Sequence, residues 1–140
     1  MKKELIQQCA RILEEWSLML VDECDSTEIF ELDEPFFLAT VDFKGVVNGQ
    51  VEIICQKPFA DALVSNLTGE EGDPSNALRE MANVFAGNLV TATFGTEHIF
   101  DLSTPEVLQK SADEVKGLLS SQTIALLGDD APVCINVRVI

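Results

Sequence analysis

The segment Asp73-Pro74-Ser75-Asn76-Ala77-Leu78-Arg79-Glu80-Met81-Ala82-Asn83-Val84-Phe85-Ala86-Gly87-Asn88 has the periodicity of a helix with two unlike faces. At about 100° per residue, Leu78, Met81, Ala82, Phe85, Leu89 and Ala92 form one apolar stripe that must face a core. Asn76, Glu80, Asn83 and Gly87 recur at spacings of four, three and four on the opposite side. A glycine within a helix costs about 0.8–1 kcal/mol relative to alanine, and core packing gives no reason for one on a solvent-facing stripe. A bare patch beside a carboxylate and a carboxamide suits the close approach of another molecule. Exposed Glu and Asn are also the ordinary composition of a solvated helix face, so the pattern leaves both readings open.

The remaining sequence supplies a sheet for that apolar stripe. Phe37, Ala39, Val41 and Phe43 alternate, as do Val47, Val51, Ile53 and Cys55, and the two runs join through Lys44-Gly45 as an antiparallel hairpin. Gly49 in the second run marks a bulge or the close packing of a helix. Pro58 opens a short helix with Phe59, Ala62, Leu63 and Leu67 inward and Gly69 as its C-cap. Glu70-Glu71-Gly72 reads as a turn, Asp73 as an N-cap and Pro74 as the first helical residue, with the two-faced helix running to about Thr93.

Upstream, Lys3 to about Val21 has helical periodicity, with Leu5, Ile6, Cys9, Ile12, Leu13, Trp16, Met19 and Leu20 on one face. Trp16 reads as a core anchor there, or as an aromatic offered to a partner. Asp22 to Glu34 reads as a loop or an irregular edge strand. Downstream, Ile99 to Leu102 is a strand and Pro105 to Leu119 a further helix or helical insertion. Ile124 to Leu127 and Val133 to Ile140 close the chain about the turn Gly128-Asp129-Asp130, and Val133, Ile135, Val137 and Val139 form the buried face of the last strand. The expected fold is therefore α+β, with about five or six mostly antiparallel strands and helices packed on one face.

A length of 140 residues fits one domain spanning 1–140. With 24 acidic against 9 basic residues and a net charge of −15, nucleic acid and anionic membranes are poor partners, because phosphate recognition needs clustered Lys and Arg. The acidity otherwise serves solubility. Cys9, Cys24, Cys55 and Cys134 show no C-x-x-C spacing, and with His98 the only histidine a zinc site is not expected. Reduced thiols point to the cytoplasm. Gln7, Gln8, Arg11, Glu14 and Glu15 break any signal-peptide core, and no apolar run reaches the ~18 residues of a membrane span. No nucleophile–base pair, triad spacing or glycine-rich phosphate loop occurs. Any catalysis must therefore use Glu80 and Asn83.

The string Glu80-x-x-Asn83-x-x-x-Gly87 resembles the signature helix of the CheC/CheX/FliY phosphatases of bacterial chemotaxis. The resemblance extends to Phe43-Lys44-Gly45-Val46-Val47-Asn48-Gly49-Gln50-Val51 as a glycine-marked hairpin. It also takes in Ala60 to Gly69 as a short helix ending in Leu-x-Gly, and Leu102-Ser103-Thr104-Pro105 as the strand and proline that follow the signature helix. Together these cover Phe37 to Val107. The resemblance implies a single-domain CheC-like fold with the first helix beside the signature helix. It also implies an activity, hydrolysis of aspartyl phosphate on CheY-like response regulators. Asn83 would orient the attacking water, Glu80 would pair with the receiver's lysine, and Asn76 and Gly87 would contact the partner. No cofactor of its own is implied, Mg²⁺ belonging to the receiver.

Two departures stand out. The family usually has Asp or Ser where Asn76 stands, and commonly has glycine soon after the proline, where this chain has Glu106-Val107-Leu108-Gln109-Lys110; Pro105 then reads as structural. One motif copy implies a CheX-type homodimer rather than a two-site CheC type. A non-catalytic, dimeric response-regulator-binding module is the alternative, and a small-molecule groove between helices a third.

Overall fold

The chain runs from an N-terminal helix α1 (Lys2–Ser17) through β1 (Val21–Cys24), β2 (Phe36–Lys44) and β3 (Gly49–Gln56) to helices α2 (Lys57–Thr68) and α3 (Pro74–Phe94). It continues with β4 (Asp101–Leu102), β5 (Glu106–Lys110), the short helix α4 (Ala112–Lys116), β6 (Ile124–Gly128) and β7 (Ala131–Val139). The computed structural model describes residues 2–24, 30, 35–68 and 73–140. The expected cap at Gly69, the turn at Glu70-Glu71-Gly72 and most of the stretch after Cys24 as far as Glu34 lie outside the described residues.

Among the described residues seven strands form one sheet in the order β1-β6-β7-β3-β2-β4, with β5 also paired to β2. Every pairing is antiparallel, so the α+β expectation holds. Inward residues of the central strands, among them Val41, Phe43, Val51, Ile53, Val133 and Ile135, meet α1, α2 and α3 in the main core. Helix α3 packs against α1, as the resemblance implied, and also against α2. Trp16 is half-buried against this core, as an anchor for α1.

Several local expectations are corrected. Helix α1 stops at Ser17 because Leu18 turns to a positive φ of 56°, and Leu20 points to solvent rather than inward. The side-chain amide of Asn66 then donates to the Ser17 carbonyl at 3.3 Å and to the Asp129 carboxylate at 2.9 Å, tying the end of α1 to the β6–β7 turn. The stretch Pro105 to Leu119 is not one helix. Its first part, Glu106–Lys110, pairs with β2, and this pairing sets Val107 against the main core.

The sheet's second face is also partly covered. Val115 of α4 packs there with Phe36, Leu38, Ile54, Ala125 and Cys134. Cys134 and Asn136 are therefore buried, although alternation predicted an open face for them. Asn136 donates to Glu52 at 3.1 Å and to the Leu118 carbonyl at 2.8 Å, and accepts from the Thr123 hydroxyl at 2.6 Å. Arg138 donates to the same Glu52 oxygen at 2.6 Å. These bonds satisfy polar groups that burial would otherwise penalise and pin the segment after α4 to the sheet.

Cys9 and Cys55 are buried among apolar residues as expected. Burial pushes the Cys9 and Cys134 thiols up to about 12 and raises Cys55 as well, so all three behave as small hydrophobes. Among the described residues, no helix is long and apolar enough to cross a membrane.

Candidate functional site

Asp73 caps α3 as its sequence indicates: the backbone is extended (φ −77°, ψ 113°) and the carboxylate accepts the Ser75 N–H at 3.0 Å. Pro74 supplies the first turn, where its missing N–H costs nothing. The helix ends at Gly95, whose φ of 96° suits glycine and whose N–H reaches the Thr91 carbonyl at 3.0 Å. Leu78, Met81, Ala82, Phe85 and Leu89 are buried as predicted. Ala92 is exposed instead, while Ala77, Ala86 and Val90 widen the buried face.

The opposite face meets the expectation in more detail. Asn76, Glu80 and Asn83 are exposed and Gly87 is half-exposed. Residues three apart on a helix stand about 5–6 Å from each other at Cβ, so the carboxylate of Glu80 and the carboxamide of Asn83 can meet one docked molecule together. Among the described residues, no hydrogen bond within the chain engages either side chain. Both are free to act outward.

The helix does not form the site alone. Strands β4 and β5 follow one another along the same edge of β2, with Phe43 opposite Leu102 and Thr40 opposite Glu106. Between them the chain leaves the ladder at Ser103-Thr104-Pro105. Ser103 fastens this break to β2 twice: its N–H reaches the Asp42 carbonyl at 2.9 Å, and its hydroxyl accepts the Asp42 N–H at 2.8 Å. The result is an open groove of about 400 Å³, walled by Arg79, Glu80 and Asn83 on one side and Leu102, Ser103, Thr104 and Pro105 on the other.

Pro105, read from sequence as structural, thus lies in the groove wall. Gly87 stands above Leu102, and a methyl group added there would sit 3.6 Å from Leu102 Cδ1, an ordinary contact. The fold itself therefore does not require glycine at 87.

Arg79, Ser103 and Thr104 were not read from the sequence as site residues. Ser103 and Thr104 stand in the string before Pro105 that carried the resemblance, but only the break in the β2 edge brings them opposite α3. Arg79 does carry a sequence signal: it is the only lysine or arginine between Lys57 and Lys110. Its guanidinium donates to Asn76 Oδ1 at 3.1 Å, so Asn76 holds a neighbour in the groove rather than standing free. Among the described residues, no group of three His, Cys, Asp or Glu side chains is placed to hold a metal ion.

A family model described as chemotaxis phosphatase CheX matches residues 37–127. This chain belongs to that family. Comparison with curated protein sequences gives no match, but solved structures share the fold over almost the whole chain. CheX from Vibrio vulnificus superposes with a TM-score of 0.71 at 11% identity, covering 99% of this chain and 95% of the other. CheX from Desulfovibrio desulfuricans gives 0.67 at 15% identity, covering 99% and 97%. The Borrelia burgdorferi CheX in a CheX–CheY–BeF3–Mg²⁺ complex gives 0.65 at 19% identity, again covering 99% and 97%. Family membership accounts for the two-faced helix, the hairpin and the strand that follows the helix, all of which fall inside the matched segment.

Proposed function

We propose that this protein hydrolyses the aspartyl phosphate of a CheY-like response regulator, with Asn83 orienting the attacking water and Glu80 docking the receiver's lysine. The observation that carries this reading is the pairing of Glu80 and Asn83, both exposed and unengaged among the described residues, on one wall of the groove. Membership of the CheX family and the likeness to a CheX solved in complex with CheY, BeF3 and Mg²⁺ support it. BeF3 on a carboxylate is a stand-in for a phosphoryl group.

The chemistry asks little of this chain. An aspartyl phosphate is an activated acyl phosphate, and phosphoryl transfer depends on positioning and electrostatics more than on covalent help. A carboxamide can accept a hydrogen bond from water with its oxygen and donate one toward a phosphoryl oxygen with its nitrogen. That is the water-orienting part a glutamine plays in small GTPases. A carboxylate at Glu80 offers a lysine a charge-assisted hydrogen bond, which anchors the complex and draws that lysine away from the phosphoryl group. The magnesium ion is expected in the receiver.

The test follows phosphate loss from phosphorylated CheY-like receiver domains with wild type, Glu80→Ala and Asn83→Ala. Glu80→Ala should raise KM more than it lowers kcat, and Asn83→Ala should do the reverse. Unchanged acceleration in both variants would sink the assignment. Receiver binding without acceleration by wild type would favour the non-catalytic module instead.

Gly87 provides a separate check. In this reading the glycine is kept for the receiver's backbone, not for the fold. Gly87→Ala should therefore stabilise the protein by about 0.5–1 kcal/mol in thermal unfolding while slowing dephosphorylation. A variant that is both more stable and fully active would remove Gly87 from the interface.

The domain boundary at 1–140 and the homodimer are parts of the same proposal. Light scattering that finds only monomer at micromolar concentration would refute the dimer.

A further inference from the structure

Arg79 has no part in the proposed hydrolysis, yet it shares the groove wall with Glu80 and Asn83. The chain carries −15 overall. Lys57, Lys110 and Arg138 are each paired with a carboxylate, at 2.6, 3.4 and 2.6 Å, whereas Arg79, a cation that lines this groove, is without such a pair among the described residues. Its one hydrogen-bond partner among them is Asn76.

That partner is neutral. A carboxamide oxygen fixes the guanidinium without cancelling its charge. An aspartate at this position would instead form an ion pair with it. The carboxamide of Asn76 and the cation of Arg79 therefore act together: they keep one positive charge available in the groove of an otherwise acidic molecule.

We propose that Arg79, held by Asn76, recognises a carboxylate on the rim of the receiver's phosphorylation site and so selects the receiver. The inference rests on the phosphatase reading above. A rim carboxylate, rather than the phosphoryl group, is the fitting partner on geometric grounds. Asn76 precedes Asn83 by seven residues, about 10 Å along the helix axis, so a guanidinium drawn to Asn76 is displaced from the place Asn83 addresses. Arg79 acts on docking, not on the reaction. The need for such a contact follows from charge: an acidic protein approaching an acidic site is repelled at long range, and a local cation offsets this where the surfaces meet.

The experiment is steady-state phosphate release from a panel of CheY-like receiver domains, phosphorylated by a small-molecule donor in the presence of Mg²⁺. It is carried out on the receivers that wild type accelerates. Arg79→Gln should raise KM roughly tenfold with kcat within about twofold, and Arg79→Lys should recover much of the loss. Asn76→Asp should raise KM in the same direction, and combining it with Arg79→Gln should add little, because both remove the same free charge. The advantage of wild type over Arg79→Gln should grow as ionic strength falls. Since Arg79 is exposed, the thermal unfolding of Arg79→Gln should overlay that of wild type.

Equal KM for wild type and Arg79→Gln, a loss confined to kcat, or a KM difference indifferent to salt would overturn the assignment and leave the phosphatase reading standing. A wild-type protein that accelerates no receiver overturns both.

Discussion

Substituting Asn83 by alanine is expected to remove essentially all acceleration of aspartyl-phosphate hydrolysis, a loss on the order of a hundredfold or more in kcat. The fold should not notice. Asn83 is exposed and, among the described residues, has no hydrogen-bond partner within the chain, so its truncation should change stability by no more than about 0.5 kcal/mol. Asn83→Asp sharpens the test, because aspartate keeps the size and one acceptor oxygen but loses the donor and gains a charge. Two like charges 4 Å apart repel by about 4 kcal/mol at an effective dielectric of 20, so Asn83→Asp should be as inactive as Asn83→Ala. Single-turnover loss of phosphate from a receiver that wild type accelerates reads both variants. A wild-type rate in Asn83→Ala would show that the attacking water is oriented elsewhere.

The second large effect lies in the sheet, at the start of β3. Gly49→Ala is expected to destabilise the protein by about 3 kcal/mol, lowering Tm by roughly 10 °C for a chain of this size. A Cβ at position 49 would clash with the Arg138 carbonyl oxygen and with Cζ of the Phe43 ring. Neither neighbour can retreat. The carbonyl belongs to β7, paired with β3 from Gly49 to Cys55. The Phe43 ring is fully buried and lies against Phe100 and Phe94, with ring centroids 5.9 and 6.3 Å away.

The sequence suggested a bulge or a packed helix at Gly49. The reason is instead a cross-strand aromatic ring lying over it. Because Phe43 also stands opposite Leu102, the strain should reach the groove wall and lower phosphatase activity as well. Denaturant unfolding that finds Gly49→Ala as stable as wild type would show that the ring or the strand yields.

Which parts of this were legible beforehand follows from the range of the forces involved. The N-cap at Asp73, the proline after it and the outward row Asn76, Glu80, Asn83 and Gly87 are local features of one helix, and helical periodicity alone places them. The β2–β3 hairpin and the β6–β7 turn are local too; Asp129 and Asp130 both take positive φ, 49° and 65°, as a two-residue hairpin requires. The errors share a cause in contacts distant along the chain. Leu20 and Ala92 fit their apolar stripes but reach past the edge of the core. Cys134 and Asn136 look outward by alternation, yet α4 and the segment behind it cover them.

By itself, then, the sequence determined the two-faced helix, the polar pair it presents and the alternating strands beneath it, because each depends on residues within a few positions of one another. Tertiary structure alone decided that the stretch after Pro105 would extend the β2 edge, that Ser103, Thr104 and Pro105 would face Glu80 and Asn83, and that Arg79 would share their groove. Those outcomes depend on which edge a strand finds and which surface it then faces. They are settled by burial and hydrogen bonding between segments, which no local pattern records.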